Sequence, residues 1–164
     1  MSQVLSEFAG SALYLDTMIP YALLRATEPA ARSLFARIQA GELTAYTSVL
    51  TFDELAYRLL LAAIRDHYPG SPMDRLRAEE ERLIAEFYPR LAPRVSQLRT
   101  FPNFYILSVT SSDLDVMDDS MLQYHLRPRD ALHVAAMRIC NCFDLLSHDS
   151  HFDRVPMISR YTLS

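Results

Sequence analysis

The feature that most narrows the possible folds is an alternation running the length of the chain, in which short, apolar, β-prone runs are separated by longer segments with helical spacing. The runs are Ser11 to Leu15, Leu43 to Val49, Phe104 to Val109 and Phe143 to Ser147, with an edge strand expected near Val155 to Ser159. Between them, Thr17 to Ala26, Ala30 to Ala40, Thr51 to about His67, Met73 to Tyr88, Ser112 to Tyr124 and Pro128 to Ile139 read as helices. Parallel neighbours need long crossovers, and helices of this length supply them. The alternation therefore predicts a three-layer α/β/α fold, with a mostly parallel central sheet covered on both faces. With 164 residues, half of them hydrophobic and only 3 glycines, the chain can bury one sizeable core. A single domain is expected over 1–164, with a leader at 1–11 and a Pro-bounded helical arm at 69–100 that could stand away from the body. Pro89 and Pro93 should bend or end the helix of that arm.

The charge balance narrows the function. Twenty acidic against 16 basic side chains leave a net charge of -4, so bulk attraction to nucleic acid or an acidic membrane is absent and a polyanion would need a local basic patch. All 16 cations are arginine, a planar donor suited to phosphate or carboxylate. The apolar runs are too short to span a membrane, and Met1 to Gly10 does not read as a signal peptide, so a cytoplasmic location is expected. Cys140 and Cys142, one residue apart, read as reduced thiols.

Four carboxylates occupy comparable places. Asp16 follows the first strand, Glu54 lies in the first turn of the long helix, Asp130 opens the helix after Pro128, and Asp149 follows the fourth strand. Each has an ordinary explanation at a helix start: Asp16 and Asp149 as caps, Thr51 to Glu54 as a capping box, Asp130 as a favourable charge on the helix dipole. In an open parallel sheet, however, strand ends and the helix starts that follow them line one edge, where ligands bind. Four acids gathered there repel one another and call for a cation, and hard oxygen donors select Mg²⁺ or Mn²⁺ over zinc. Asp53 is a rival to Glu54, but successive helical residues point about 100° apart, so one of the two should face solvent.

These residues resemble a family. Tyr14-Leu15-Asp16-Thr17 followed by Ile19, the stretch Ser48 to Glu54, Arg129-Asp130-Ala131-Leu132-His133 and Leu146-Ser147-His148-Asp149-Ser150-His151-Phe152 are similar to the motifs of PIN-domain nucleases of the VapC toxin type. The resemblance covers Ala12 to about Ile158 and implies that Asp16, Glu54, Asp130 and Asp149 are the acidic site residues. Ser147 would be the hydroxyl that helps order them, and Asp153 stands where such sequences sometimes carry another acid. It implies a ribonuclease in which Asp16, Asp130 and Asp149, with Glu54 direct or through water, hold Mg²⁺ or Mn²⁺ and hydrolyse an RNA phosphodiester. It also implies a small antitoxin partner and a homodimer, with the Thr51 to Ala63 helix and the Met73 to Tyr88 arm as the surface for that partner. The other reading is a PIN-fold scaffold that binds RNA or protein without cutting. Met18 departs from the pattern, standing where Asn is usual.

Arg127, Arg129 and Arg25 are candidate phosphate contacts. His133 reads as a packed core histidine, and Cys140, Cys142, His148 and His151 do not have the spacing of a usual zinc site.

Overall fold

The computed structural model describes residues 3–164. Six strands form one sheet: β1 (Gln3–Val4), β2 (Ala12–Leu15), β3 (Thr44–Ser48), β4 (Phe104–Leu107), β5 (Asp144–Leu146) and β6 (Ser159–Thr162). Their order is β1-β6-β5-β2-β3-β4 and every pairing is parallel. Seven α-helices are described: α1 (Met18–Arg25), α2 (Pro29–Gln39), α3 (Val49–His67), α4 (Pro72–Ala78), α5 (Glu80–Arg99), α6 (Asp113–Tyr124) and α7 (Pro128–Cys140).

Strand alternation builds the two cores. Leu13 and Leu15 of β2 point into a cluster with Ile19, Leu34, Ile38, Leu55, Leu59, Val95 and Leu98, under α1, α2, α3 and α5. Tyr14, between them, points the other way and joins Leu145, Ala131, Val134 and Met137 under α7. A sheet covered on both faces needs strands apolar on both, which explains why these runs are continuous rather than alternating. The three-layer α/β/α reading is correct. Gly41 ends α2 as expected, with φ +77°, the left-handed region where a side chain would be strained.

Three expectations need correction. The helix of the arm does not stop at its prolines: α5 runs through Pro89 and Pro93, and the break falls earlier, at Glu79 between α4 and α5. Both prolines are exposed, and the carbonyls they leave free, those of Ala85 and Pro89, belong to exposed residues that water can serve. Packing on both sides of them, Leu83 and Phe87 before and Val95 and Leu98 after, holds the helix together. The arm also lies against the body, since Leu76, Leu83 and Phe87 pack on Leu60 and Ile64 of α3. Finally, the last strand lies at Ser159–Thr162 rather than 155–159, because a 3₁₀ turn at Ser150–Arg154, anchored by buried Phe152 and Val155, uses up the chain first. It is not an edge, since β1 from the leader pairs beyond it.

Candidate active site

The strand order reverses direction at β2: the chain leaves it for β3 on one side, and β5 later returns on the other. In an open parallel sheet the crevice for ligands lies at such a point, outside the carboxyl ends of the strands. A cavity of about 600 Å³ opens there, lined by Asp16, Glu54, Asp130 and Asp149 together with Met18, Leu50, Arg58, Arg127, Pro128, Arg129 and Leu132. Folding thus brings all four acids expected from the sequence to one cavity.

Each acid is held differently. Asp16 leaves the end of β2, where its amide bonds the Leu146 carbonyl at 3.1 Å. Its Oδ1 accepts from the Thr17 amide at 2.7 Å and its Oδ2 from the Ser147 hydroxyl at 2.7 Å. Ser147, fully buried, in turn accepts from the Asp149 amide at 3.0 Å, so one hydroxyl ties the first acid to the last. Asp149 caps the 3₁₀ turn, its Oδ1 accepting from the His151 amide at 2.8 Å.

Glu54 does not belong to a capping box. The helix α3 begins at Val49, which puts Thr51 inside its first turn, and the Thr51 hydroxyl bonds that of Thr47 at 2.6 Å. Glu54 is therefore free to face the cavity, where it accepts from Thr17 Oγ1 at 3.3 Å and from Arg58 Nε at 2.6 Å, with Arg129 at 3.6 Å. Asp53 is the member of the adjacent pair that faces solvent, at 69% side-chain exposure, and it binds Arg129 at 3.0 Å.

Asp130 is the least compensated of the four. Half-buried in the first turn of α7, it has a buried Oδ2 without a hydrogen-bond partner. Burial, then the charges of Asp149 and Asp16, push its carboxyl up to about 6, against smaller opposing effects from Arg127 and His151. An orphaned carboxylate oxygen facing two further acids is what a cation-binding cavity presents before its ion arrives. Donor atoms of Asp130, Asp149 and His151 lie within 4.8 Å of one another, a spacing one divalent ion can bridge. The donor set therefore fits a divalent metal.

His151 is the residue that sequence reasoning passed over. The sequence offers it only beside His148 and the cysteines, without the spacing of a usual zinc site, whereas the tight turn after Asp149 carries it back to the acids, with Nδ1 at 3.2 Å from Asp149 Oδ1. The signal available was its position two residues after an acid that caps a short turn. His148 contacts Glu28 at 3.2 Å, and both cysteines are free thiols at the end of α7, where the neighbouring Cys142 brings the Cys140 thiol down to about 7.

Other expectations resolve by location. His133 is packed as expected, at 2% exposure, with Nδ1 at 2.8 Å from the Tyr14 hydroxyl, and burial holds its pKa below the ordinary range. Arg127 and Arg129 line the cavity, but Arg25 pairs with Asp66 at 2.8 Å and does not line it. Asp153 is engaged by Arg160, which donates from Nε at 2.6 Å and Nη2 at 3.0 Å, while its Nη1 holds the Ser147 carbonyl at 3.0 Å. Asp153 is thus linked to Ser147 through Arg160.

The family model described as PIN domain matches residues 13–157. No curated protein matches the chain. Among solved structures the chain is similar in fold to VapBC2 from Rickettsia felis bound to a DNA fragment from its promoter, at 12% identity, covering 92% of this chain and 98% of that one, with a TM-score of 0.61. It is similar to a toxin-antitoxin complex from Klebsiella pneumoniae, at 16% identity over 90% of this chain and 95% of that one, TM-score 0.55. It is also similar to Mycobacterium tuberculosis VapC20, a toxin that cleaves the sarcin-ricin loop, at 16% identity over 86% and 92%, TM-score 0.58.

Proposed function

Because the chain belongs to the PIN-domain family, we propose that its acidic cavity is the active site of a divalent-metal-dependent endoribonuclease, the toxin half of a toxin-antitoxin pair. The observation that carries the reading is Asp130: a buried carboxylate oxygen without a partner, beside Asp149 and Asp16, in a cavity rimmed by arginines. The fold likeness to toxin-antitoxin structures supports the biological role.

Asp130 and Asp149 would hold the ion, with Asp16 and Glu54 lining the same cavity. A bound Mg²⁺ or Mn²⁺ lowers the pKa of water and offsets charge developing on a phosphate. The chain supplies the rest. Ser147 and the Thr17 amide fix both oxygens of Asp16, and the same hydroxyl fixes the loop that bears Asp149, so the acids do not reorganise during reaction. Arg58, Arg127 and Arg129 line the cavity and would supply contacts to the phosphates of an RNA backbone. Arg58 and Arg129 spend their charge on Glu54 and Asp53 until a phosphate competes for them.

The antitoxin surface is proposed between α3 and α5, where Ala56, Tyr57, Leu60, Ile84 and Tyr88 line an apolar hollow of about 290 Å³ and Tyr57 and Ile84 are 45% and 40% exposed. No described helix is long and apolar enough to cross a membrane.

The test is cleavage of defined RNA with Mn²⁺, with Mn²⁺ plus chelator, and by Asp130→Ala. Cleavage in the first condition alone is expected. Equal cleavage by the variant would move the chemistry elsewhere, and failure to cut under any metal condition, with partner binding kept, would leave the fold as a scaffold.

A further inference from the structure

We infer that His151 places an imidazole nitrogen in the coordination sphere of the ion held by Asp130 and Asp149, and that this makes the centre prefer first-row transition ions to Mg²⁺; the inference rests on the metal-site reading above. The turn geometry carries it. Asp149 caps the five-residue 3₁₀ turn, and its Oδ1 already has a donor, the His151 amide at 2.8 Å. The same short turn folds the imidazole back, so that its Nδ1 stands 3.2 Å from that oxygen. The donor atoms of Asp130, Asp149 and His151 lie within 4.8 Å of one another. Ligands about 2.0–2.2 Å from a common ion are separated by about 3–4.4 Å, so small side-chain rotations complete the set.

A backbone-held turn and a helix start supply the three donors, so their arrangement does not depend on a mobile loop tip. The His133 Nδ1 pairs with the Tyr14 hydroxyl in the core and its buried Nε2 has no partner, while His148 contacts Glu28. Loss of a nitrogen signal in a His151 variant is therefore what assigns that signal to His151.

The chemical consequence follows from ligand preference. Mg²⁺ takes oxygen donors and gives up its waters reluctantly, whereas imidazole is a good ligand for borderline first-row ions. Two carboxylates alone leave the choice of ion open, and one added nitrogen tilts it. If the imidazole merely oriented Asp149, its loss would weaken every divalent ion alike.

The experiment uses the full chain with Mn²⁺ as a paramagnetic probe. Pulsed EPR of the Mn²⁺-loaded protein should show nitrogen coupling that changes to the ¹⁵N pattern when histidine is ¹⁵N-labelled and disappears in His151→Gln. Calorimetric titration should show Ni²⁺ affinity falling about 10- to 100-fold in His151→Gln, with Mg²⁺ affinity changing less than about 3-fold. Mn²⁺ bound without histidine nitrogen coupling in the unsubstituted protein overturns the inference, whatever the variant does. So does an equal loss of both ions. Either result, with RNA cleavage still lost in Asp130→Ala, leaves the nuclease reading standing, whereas absence of divalent binding altogether removes both.

Discussion

The arm and the cavity are both crowded with charge, and they use it in opposite ways. On α4 and α5, Glu79 is bound by Arg75 at 3.2 Å and by Arg82 at 2.7 Å, and Arg82 reaches Glu86 at 2.8 Å. Arg75 and Arg82 also lie over the Tyr68 ring, at 4.9 and 5.4 Å from its centre. Nearly every partner is three or four residues away on the same stretch of helix, and the pairs are open to water. In the cavity the acids come from the segment after β2, from α3, from α7 and from the turn after β5, and a buried oxygen of Asp130 has no partner at all. Charge cancelled within one helix is solvated structure; charge assembled from remote elements and left uncancelled is chemistry.

Substitutions at the two regions sharpen that contrast. The largest effect is expected at Asp130. Asp130→Asn should lower the rate of metal-dependent cleavage by roughly 10³-fold, about 4 kcal/mol of barrier, while the metal-free protein becomes no less stable, because a repelled carboxylate has been removed. Single-turnover cleavage and thermal melts of the same preparation check both halves.

Next is Asp153→Ala. Arg160 has only 7% of its side chain exposed, and losing its bidentate partner should cost about 3 kcal/mol, the low end for orphaning a buried charge because the Asp153 side is open to solvent. Denaturant midpoints measure it. Cleavage should fall as well, since Arg160 holds the Ser147 carbonyl, and Asp153→Glu should recover part of both losses.

A smaller effect concerns pH. The carboxyl of Asp130 rises from 3.8 to about 6 on folding, so the native state holds a proton that the unfolded chain releases. That contribution is fully present below about pH 4 and is lost as pH rises through 6, opposite in sign to Asp153, whose carboxyl Arg160 holds below its ordinary range. The melting temperature of the metal-free protein should therefore decline between about pH 4 and 7 relative to Asp130→Asn, and saturating Mn²⁺ should reverse the decline. Parallel pH profiles for the two proteins would contradict the burial of that carboxylate.

The smallest effect belongs to the arm. Glu79→Gln should cost less than about 1 kcal/mol and leave cleavage unchanged, as expected for exposed pairs that salt screens. A large loss there would mean that the arm's charges take part in the site.

How far the molecule is legible from its sequence follows the range of the interactions. The ends of β2 and β3 and the spans of α2, α3, α6 and α7 fall close to where periodicity, Pro128 and Gly41 place them, because these signals act within a few residues. The course of α5 through Pro89 and Pro93 is not legible that way. A missing hydrogen bond is visible locally, but the packing of Phe87 on α3 and of Val95 in the main core is not. The two-residue strand β1 is too short for any periodic signal and exists by pairing with β6, whose partner residues lie more than 150 positions away. At the site, Asp16, Asp130 and Asp149 are legible because each follows a strand or opens a helix, whereas Glu54 lies beyond the first turn of α3, which begins at Val49 and not at Thr51. The nearness of His151 to Asp130 escaped because it depends on how two separate elements meet.

The sequence by itself determined the layered parallel architecture and the set of acids from which a site could be drawn, since hydrophobic period, helix stops and residue chemistry are properties of short stretches. Only the tertiary structure decided which charges remain uncompensated. Arg58 and Arg129 settle on Glu54, Arg160 on Asp153 and Arg25 on Asp66, while Asp130 keeps a buried oxygen bare. The cost of a charge is set by the water it has lost and the partners within a few ångströms, and both are created when distant segments close around it.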